Sequence, residues 1–267
     1  MSGTIATPNP TSPPNTATIT TQTSRVLTVN QTTDGTFPGV IAGAGTFTLG
    51  ILSTNTLTLT GANTHTGGTV ITAGTLAANT LSPDSATGTA AVTVTGGTLR
   101  GTGNISGAIT LNGGKTAPGD ANNSGVLTTT SMLVASPLTG SMSFNVSGGA
   151  VDSSQLFINV AGNLDLGTAM TLTVTPYLGN SNPDHFTLIK TLSGTGVSGA
   201  FNNFAEGAVV FANTTTGRDY VINYGTFSSE PGNVVLSIVP IPEPTVLGLV
   251  VAAGFGMLIR RRRAITF

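Results

Sequence analysis

The chain of 267 residues has no cysteine, no tryptophan and little charge. Without cysteine there is no disulfide framework and no thiolate chemistry. Charged residues make up 7% of the chain, against about 25% in an average globular domain, and aromatic residues make up 5%. Disordered chains are usually rich in charge and poor in β-branched residues. Here hydrophobic residues reach 39%, and the abundant threonine, valine and isoleucine favour extended, pleated backbone.

The few positive charges are unevenly distributed. Four of the nine lysines and arginines stand side by side from Arg260 to Arg263. The rest of the chain, up to residue 242, carries nine acids and five basic residues: Arg25, Arg100, Lys115, Lys190 and Arg218. A nucleic-acid-binding protein needs a basic face, so this mildly acidic body argues against a nucleic-acid partner.

An uncharged run of 15 residues precedes the arginines, and we predict that it is a transmembrane anchor. As a helix it would be about 22 Å long, short of the roughly 30 Å hydrocarbon core, but arginine side chains can reach the headgroups. The positive-inside bias would leave the arginines in the cytoplasm and the body outside it. The alternative is a buried C-terminal helix of a soluble domain. The run consists of Thr245, Val246, Leu247, Gly248, Leu249, Val250, Val251, Ala252, Ala253, Gly254, Phe255, Gly256, Met257, Leu258 and Ile259.

The order of Pro-Glu-Pro, apolar run and arginine cluster resembles the PEP-CTERM protein-sorting signal. The resemblance covers about the last 25 residues. It implies that Pro242, Glu243 and Pro244 are the sorting motif that an exosortase recognises and cleaves nearby. It also implies that the apolar run spans the inner membrane only transiently, and that Arg260, Arg261, Arg262 and Arg263 are a basic stop signal. The resemblance places the mature protein at the surface of Gram-negative bacteria that make exopolysaccharide.

A protein sorted in this way is expected to carry a basic and then apolar secretory signal at its start. The sequence MSGTIATPNPTSPPNTATIT shows neither feature. Three explanations stay open: a start site further upstream, an internal fragment, or insertion through the tail alone.

Three short segments of the body repeat one pattern. VITAGTL begins at Val70, TVTGGTL at Thr93 and TLNGGKT at Thr110, so the offsets are 23 and 17 residues. Each segment combines an alternating strand with a pair of small residues, and such spacings are typical of one coil of a β-solenoid. Alternation also predicts strands at TLTLT and AVTVT, with Leu57 and Leu59, and Val92 and Val94, facing a core.

The stretch from Gly35 to Leu76 resembles the autotransporter-associated β-strand repeat, whose recognisable core here is LTLTGANTHTGGTVITAGTL. The segments GGKTAPGDANNSGVLTTTS, GAFNNFAEGAVV and YVINYGTFSSEPGNVVL are similar to regions that follow in such passengers or precede a PEP-CTERM tail. The resemblance implies a right-handed parallel β-helix at the cell surface. Most copies of the repeat are expected to carry tyrosine at the position of His65.

The predicted fold class is therefore all-β, a right-handed parallel β-helix or solenoid with a β-rich C-terminal cap and a single C-terminal transmembrane helix. We predict four parts. Residues 1–33 form a flexible Pro/Thr-rich leader, residues 34–136 the repeat solenoid, residues 137–239 further coils and a cap, and residues 240–267 the sorting signal. The cap is expected to be sandwich-like or irregular, closing the exposed edge of the solenoid.

The sequence offers weak candidates for chemistry. Asp184 and His185 are adjacent and could act as a base or a metal ligand, but a polar turn explains them as well. His65 favours a packing or surface role. Asp120, Asn122 and Ser124 could bind calcium, although an Asx turn has the same spacing. We therefore predict no catalytic residues, no metal and no cofactor.

The functional prediction is a non-catalytic, exported cell-surface or extracellular-matrix protein. It is membrane-anchored before exosortase processing, and it is expected to contact the exosortase, the inner membrane transiently, and exopolysaccharide. The alternatives are a carbohydrate-active β-helix enzyme, and an adhesin or carbohydrate-binding module.

Overall fold

The computed structural model describes residues 17–120, 124–134, 139–146, 154–158, 164–167, 169–176, 185–192, 197–214, 217–225 and 231–241. These described residues form 24 β-strands and contain no helix. The strands, in chain order, are β1 (Thr18–Thr21), β2 (Val26–Val29), β3 (Gly35–Phe37), β4 (Val40–Gly43), β5 (Thr46–Leu49), β6 (Thr56–Leu59), β7 (Thr69–Ile71), β8 (Thr75–Ala78), β9 (Val92–Val94), β10 (Thr98–Gly101), β11 (Asn104–Ile105), β12 (Ile109–Leu111), β13 (Lys115–Pro118), β14 (Gly125–Thr129), β15 (Met132–Val134), β16 (Gly140–Asn145), β17 (Ser154–Ile158), β18 (Leu164–Asp165), β19 (Met170–Thr175), β20 (His185–Thr191), β21 (Val197–Ser198), β22 (Val209–Asn213), β23 (Arg218–Tyr224) and β24 (Val234–Pro240).

Successive turns of the chain stack their strands into three long sheets. The first sheet runs β2-β5-β7-β9-β12-β15-β18-β21, and the second runs β3-β6-β8-β10-β13-β16-β19. The third begins at β11-β14-β17-β20, and a separate pair, β1-β4, occurs near the start of the chain. The strand pairs within the stack are parallel, for example β10 with both β8 and β13. The all-β, solenoid-like class is therefore confirmed.

The register of the first sheet confirms the two repeat offsets. Val70 pairs with Thr93, and Thr93 pairs with Thr110, so the three repeated segments stack directly on one another. Later coils are longer: Met132 pairs with Leu164, which pairs with Val197. The pattern loosens after residue 136 because the coils lengthen while the strands keep stacking.

Strand alternation sends aliphatic side chains into the solenoid and hydroxyls outward. In β6, Leu57 and Leu59 are buried, whereas Thr56 and Thr58 remain partly exposed. The same alternation holds in β9, where Val92 and Val94 have no exposed surface. Both predicted strands are confirmed to within a residue or two. Each fully buried leucine or valine contributes about 1.5–3 kcal/mol relative to an exposed one, and the stack repeats this gain coil after coil.

Asparagine side chains replace strand pairing on the side of the early coils that lacks a continuous sheet. The Asn63 Oδ1 atom accepts a hydrogen bond from the Ile41 amide at 2.6 Å, and its amide group donates to the Ala86 carbonyl. Asn104 donates from Nδ2 to the Asp84 carbonyl at 2.8 Å. These bonds satisfy main-chain groups that would otherwise be unpaired in a buried position.

The C-terminal end of the stack is closed in two ways. In the third sheet, β20 is followed by β24, β23 and β22 in antiparallel order, so a meander covers the last parallel strand. In the second sheet, Asn203 accepts from the Leu172 amide at 3.0 Å and donates to the Leu172 carbonyl at 2.8 Å. The end is therefore an extension of one solenoid sheet, and not the sandwich-like or irregular cap that the sequence led us to expect. Strand β20 is therefore covered by a neighbouring strand, and the edge of β19 is capped at Leu172.

Two other expectations concern the chain ends. A flexible leader reaching residue 33 is wrong for residues 18–29, because β1 pairs with β4 and β2 pairs with β5 through main-chain register. The predicted sorting signal covers residues 240–267: Pro240 is the last residue of β24, and residues 242–267 lie outside the described residues. Across the ranges that the structure describes, no helix is long and apolar enough to span a membrane.

Candidate ligand-binding face

The outward surface of the second sheet is the most regular polar surface among the described residues, and we call it the threonine face. It is built from strands β3, β6, β8, β10, β13, β16 and β19. Its outward residues are Thr36, Thr56, Thr58, Thr75, Ala77, Thr98, Arg100, Lys115, Ala117, Ser141, Ser143, Asn145, Thr171, Thr173 and Thr175.

Parallel register turns these residues into columns. Thr56 pairs with Thr75, which pairs with Thr98, and the same column continues through Lys115, Ser141 and Thr171. Neighbouring strands lie about 4.8 Å apart, so hydroxyl groups recur at that interval along the stack. Small hydroxyl side chains leave the surface flat and rich in hydrogen-bonding groups, which suits an extended polar ligand.

Two cations interrupt the hydroxyl columns at the middle of the face. Arg100 lies on β10 and Lys115 on the adjacent β13, offset by two residues along the strands. Strand spacing and rise place their Cα atoms about 8 Å apart. Among the described residues, neither side chain forms a hydrogen bond or ion pair, and Arg100 Nε is buried without a partner. The Lys115 ammonium and the outer guanidinium nitrogens of Arg100 are therefore the donors that a ligand could use, whereas the buried Nε is closed to it.

Small residues flank Arg100 on both sides. Its register partners are Ala77 on β8 and Ala117 on β13. Ala77 is only 3% exposed although its position faces outward, because its larger neighbours on the flanking strands screen it. The positions beside Arg100 on both neighbouring strands therefore carry only a methyl group.

One carboxylate stands at the N-terminal end of the same face. Asp34 accepts a hydrogen bond from the Thr56 amide at 2.8 Å. That bond is the main reason that the pKa of Asp34 is lowered from its ordinary value, and the charge of Arg100 adds to the effect. Three strand spacings, about 14 Å, separate the Asp34 and Arg100 positions along the stack. The two side chains form no ion pair among the described residues, although the charge of Arg100 still reaches Asp34 because the arginine side chain is long.

His65 is a core residue, which confirms the packing role. It has no exposed surface, and its ring meets that of Phe47 edge-on, with 6.2 Å between centroids. Its Nε2 atom lies 3.0 Å from the Thr69 hydroxyl, which donates its own hydrogen to the Thr87 carbonyl. His65 must therefore donate from Nε2, which leaves Nδ1 unprotonated and without a partner. Burial lowers the pKa of His65, so the ring is neutral.

Of the other candidates for chemistry, only Asp120, Ser124 and His185 lie among the described residues. Asp120 accepts from the Ser124 amide at 3.1 Å, a bond that spans four residues and is therefore longer than the Asx turn given as the alternative to calcium binding. Asn122 and Asp184 lie outside the described residues, and His185 begins β20. Within the part of the chain that the structure describes, no group of three or more His, Cys, Asp or Glu residues could hold a metal ion.

The predicted sorting residues cannot be placed in this site. Pro242 to Pro244, the apolar run from Thr245 to Ile259 and the arginines from Arg260 to Arg263 lie outside the described residues. The sequence reasoning recognised Arg100 and Lys115 only as scattered cations. A signal was present, because aligning Gly96-Gly97 with Gly113-Gly114 already puts Arg100 and Lys115 on the same outward side of adjacent strands.

Residues 52–78 match the model of the passenger-associated-transport-repeat family. The match runs from the corner before β6 to the end of β8, and it contains the core of the repeat predicted from the sequence. It confirms the repeat part of the resemblance, and it points to an exported or surface protein. No curated protein matches the chain.

Proposed function

We propose that this protein is a non-catalytic component of the cell surface or extracellular matrix, exported and then released from its membrane anchor by an exosortase. The body presents the threonine face to exopolysaccharide. Residues 242–263 act as the sorting signal. The exosortase recognises Pro242 to Pro244, and the segment from Thr245 to Ile259 spans the inner membrane transiently. The arginines keep the C-terminal end in the cytoplasm.

The observation that carries the proposal is the coincidence of the repeat match with one full turn of a stacked solenoid. A solenoid builds a long rigid surface from low-charge sequence, because each coil is satisfied by its neighbours. Such a surface suits contact with an extended polymer. The right-handedness of the β-helix and the sorting role of the tail are inferred from the family resemblances.

The sorting step is tested by expressing the full chain in a bacterium that has an exosortase, with and without the gene for that enzyme. Intact-mass analysis of the surface and membrane fractions reports cleavage. We expect the unaltered chain to lose its tail near Pro244 only when the enzyme is present. Replacing Arg260 to Arg263 with serine should cause mislocalisation and leave the chain uncut.

Two further variants test whether cleavage depends on the Pro-Glu-Pro motif itself. Glu243→Gln changes the centre of the motif and should block cleavage, whereas Pro240→Ala changes the exposed last residue of β24 and should be cut normally. Unchanged anchoring and processing of the serine variant would contradict the sorting proposal.

A further inference from the structure

We propose that the centre of the threonine face is a binding site for an anionic polysaccharide whose carboxylates are held by Arg100 and Lys115. The inference rests on the proposed contact with exopolysaccharide, and it specifies the chemical class of the ligand and the residues that select it.

The arrangement of the two cations supports one site. They project from adjacent strands, offset by two residues, on a surface whose other outward groups are hydroxyls, an amide and methyls, with the Asp34 carboxylate at its N-terminal end. An arginine can hold a carboxylate through two parallel hydrogen bonds, and the flanking alanines leave room for that approach. Lysine adds a compact charge about 8 Å away, close enough for a neighbouring carboxylate of the same polymer.

The electrostatic surroundings also favour an anion. Among the described residues, no acceptor of the protein bonds to the Arg100 side chain, so its outer guanidinium nitrogens keep their hydrogen-bonding capacity for a ligand. Asp120, two residues after the end of β13, is bonded to the Ser124 amide and forms no ion pair with either cation among the described residues. The hydroxyl columns on each side offer donors and acceptors to sugar hydroxyls.

A polysaccharide fits the face better than nucleic acid does. Sequence-independent binding of single strands relies on aromatic side chains that stack with bases, and the threonine face has no aromatic residue at its described outward positions. Duplex binding needs many phosphate contacts, whereas this face offers two cations and the body is acidic overall.

The test compares polygalacturonate with its fully methyl-esterified form, which has the same sugar backbone but carries a neutral methyl ester in place of each carboxylate. Every protein is the full-length chain in mild detergent with Arg260 to Arg263 replaced by glutamine, so that the tail cannot bind a polyanion. We expect polygalacturonate to bind at least about tenfold more tightly than the ester, with affinity falling as salt rises. The double variant R100Q/K115Q should lose about tenfold in affinity for polygalacturonate.

The matched control is R25Q/K190Q, which removes the same charge from two exposed positions away from the face. It should bind as the parent does, and circular dichroism should show that both variants fold.

Equal binding of the two polymers, or unchanged binding by R100Q/K115Q, overturns the anionic site but leaves a polysaccharide contact standing. Binding of neither polymer overturns the contact as well. Tight binding of duplex DNA that depends on Arg100 would show a general polyanion site instead and would also overturn the inference.

Discussion

Single buried polar atoms mark the places where this solenoid departs from an ideal stack. His65 Nδ1 and the Thr116 hydroxyl are both buried without a hydrogen-bond partner among the described residues. An unpaired buried polar group costs about 1–3 kcal/mol, and a charge in the same place costs more. We therefore expect the stability of the protein to depend on pH through His65, and to increase when Thr116 is replaced by an apolar residue.

His65 should make the stability of the protein depend on pH. Burial lowers its pKa in the folded chain below the ordinary value of 6.5, so the unfolded chain binds the proton more readily. The stabilising contribution of neutral His65 is complete above pH 6.5 and is lost as pH falls toward the folded-state pKa. The slope from one proton cannot exceed about 1.4 kcal/mol per pH unit.

The measurement is the free energy of urea unfolding between pH 7.5 and 5, for the unaltered chain and for His65→Gln. Glutamine can still donate to the Thr69 hydroxyl but does not titrate in this range. We expect the difference in stability between the two proteins to shift in favour of the variant as pH falls. A difference that stays constant across this range would show that His65 is not the titrating group.

Thr116 should be replaceable by valine with a gain in stability. Its side chain points into the core with no exposed surface, between Leu99 and Met142 in register. Valine has nearly the same shape and removes the unpaired hydroxyl, so we expect a gain of about 1 kcal/mol in thermal or urea unfolding. Thr98→Val, on the outward face of the neighbouring strand, is the control and should show no comparable gain. Loss of stability in Thr116→Val would mean that the hydroxyl has a partner.

At the level of strands, the end of the second sheet depends on one side chain. Asn203 satisfies both the amide and the carbonyl of Leu172 on β19, which has no further strand beside it within the described ranges. Asn203→Ala removes both hydrogen bonds, and we expect the protein to lose about 1–2 kcal/mol. The Leu172 amide should also exchange its hydrogen faster with solvent.

Asn202 provides a matched control for this substitution. It bonds to the Met170 carbonyl through its main-chain amide at 2.7 Å, so Asn202→Ala keeps the contact. If the two alanine variants lose equal stability, the Asn203 side chain does not close the edge.

Strands of the early coils could be predicted from the sequence because their cause is local. The alternation around Leu57 and the small residues at the corners recur at short offsets, and the register reproduced those offsets. The pairing of Asn203 with Leu172 could not be predicted, since the two residues lie 31 positions apart and meet only in the folded stack. The two cations of the threonine face, Arg100 and Lys115, lie between these cases. The alignment of the repeats already puts them on one side of adjacent strands, but only the strand register showed that they are neighbours.

The whole molecule is a one-dimensional stack, and its stability should vary along the axis. An interior strand such as β7 is bonded on both sides, to β5 and to β9, so opening it breaks two interfaces. Strand β2 has a single partner, β5, within the described residues. In a stack coupled through nearest neighbours, the free energy of local opening rises from the end toward the interior.

Hydrogen exchange measured on the full chain tests this gradient. We expect amides of β2 to exchange at least about tenfold faster than those of β7 and β9, because each factor of ten corresponds to about 1.4 kcal/mol of opening free energy. The other end serves as an internal comparison. Strand β20 is covered by β24, so its amides should resemble the interior. Equal protection in β2 and β7 would mean that the stack opens as one cooperative unit or that a further segment covers β2. Either result would contradict a free N-terminal edge.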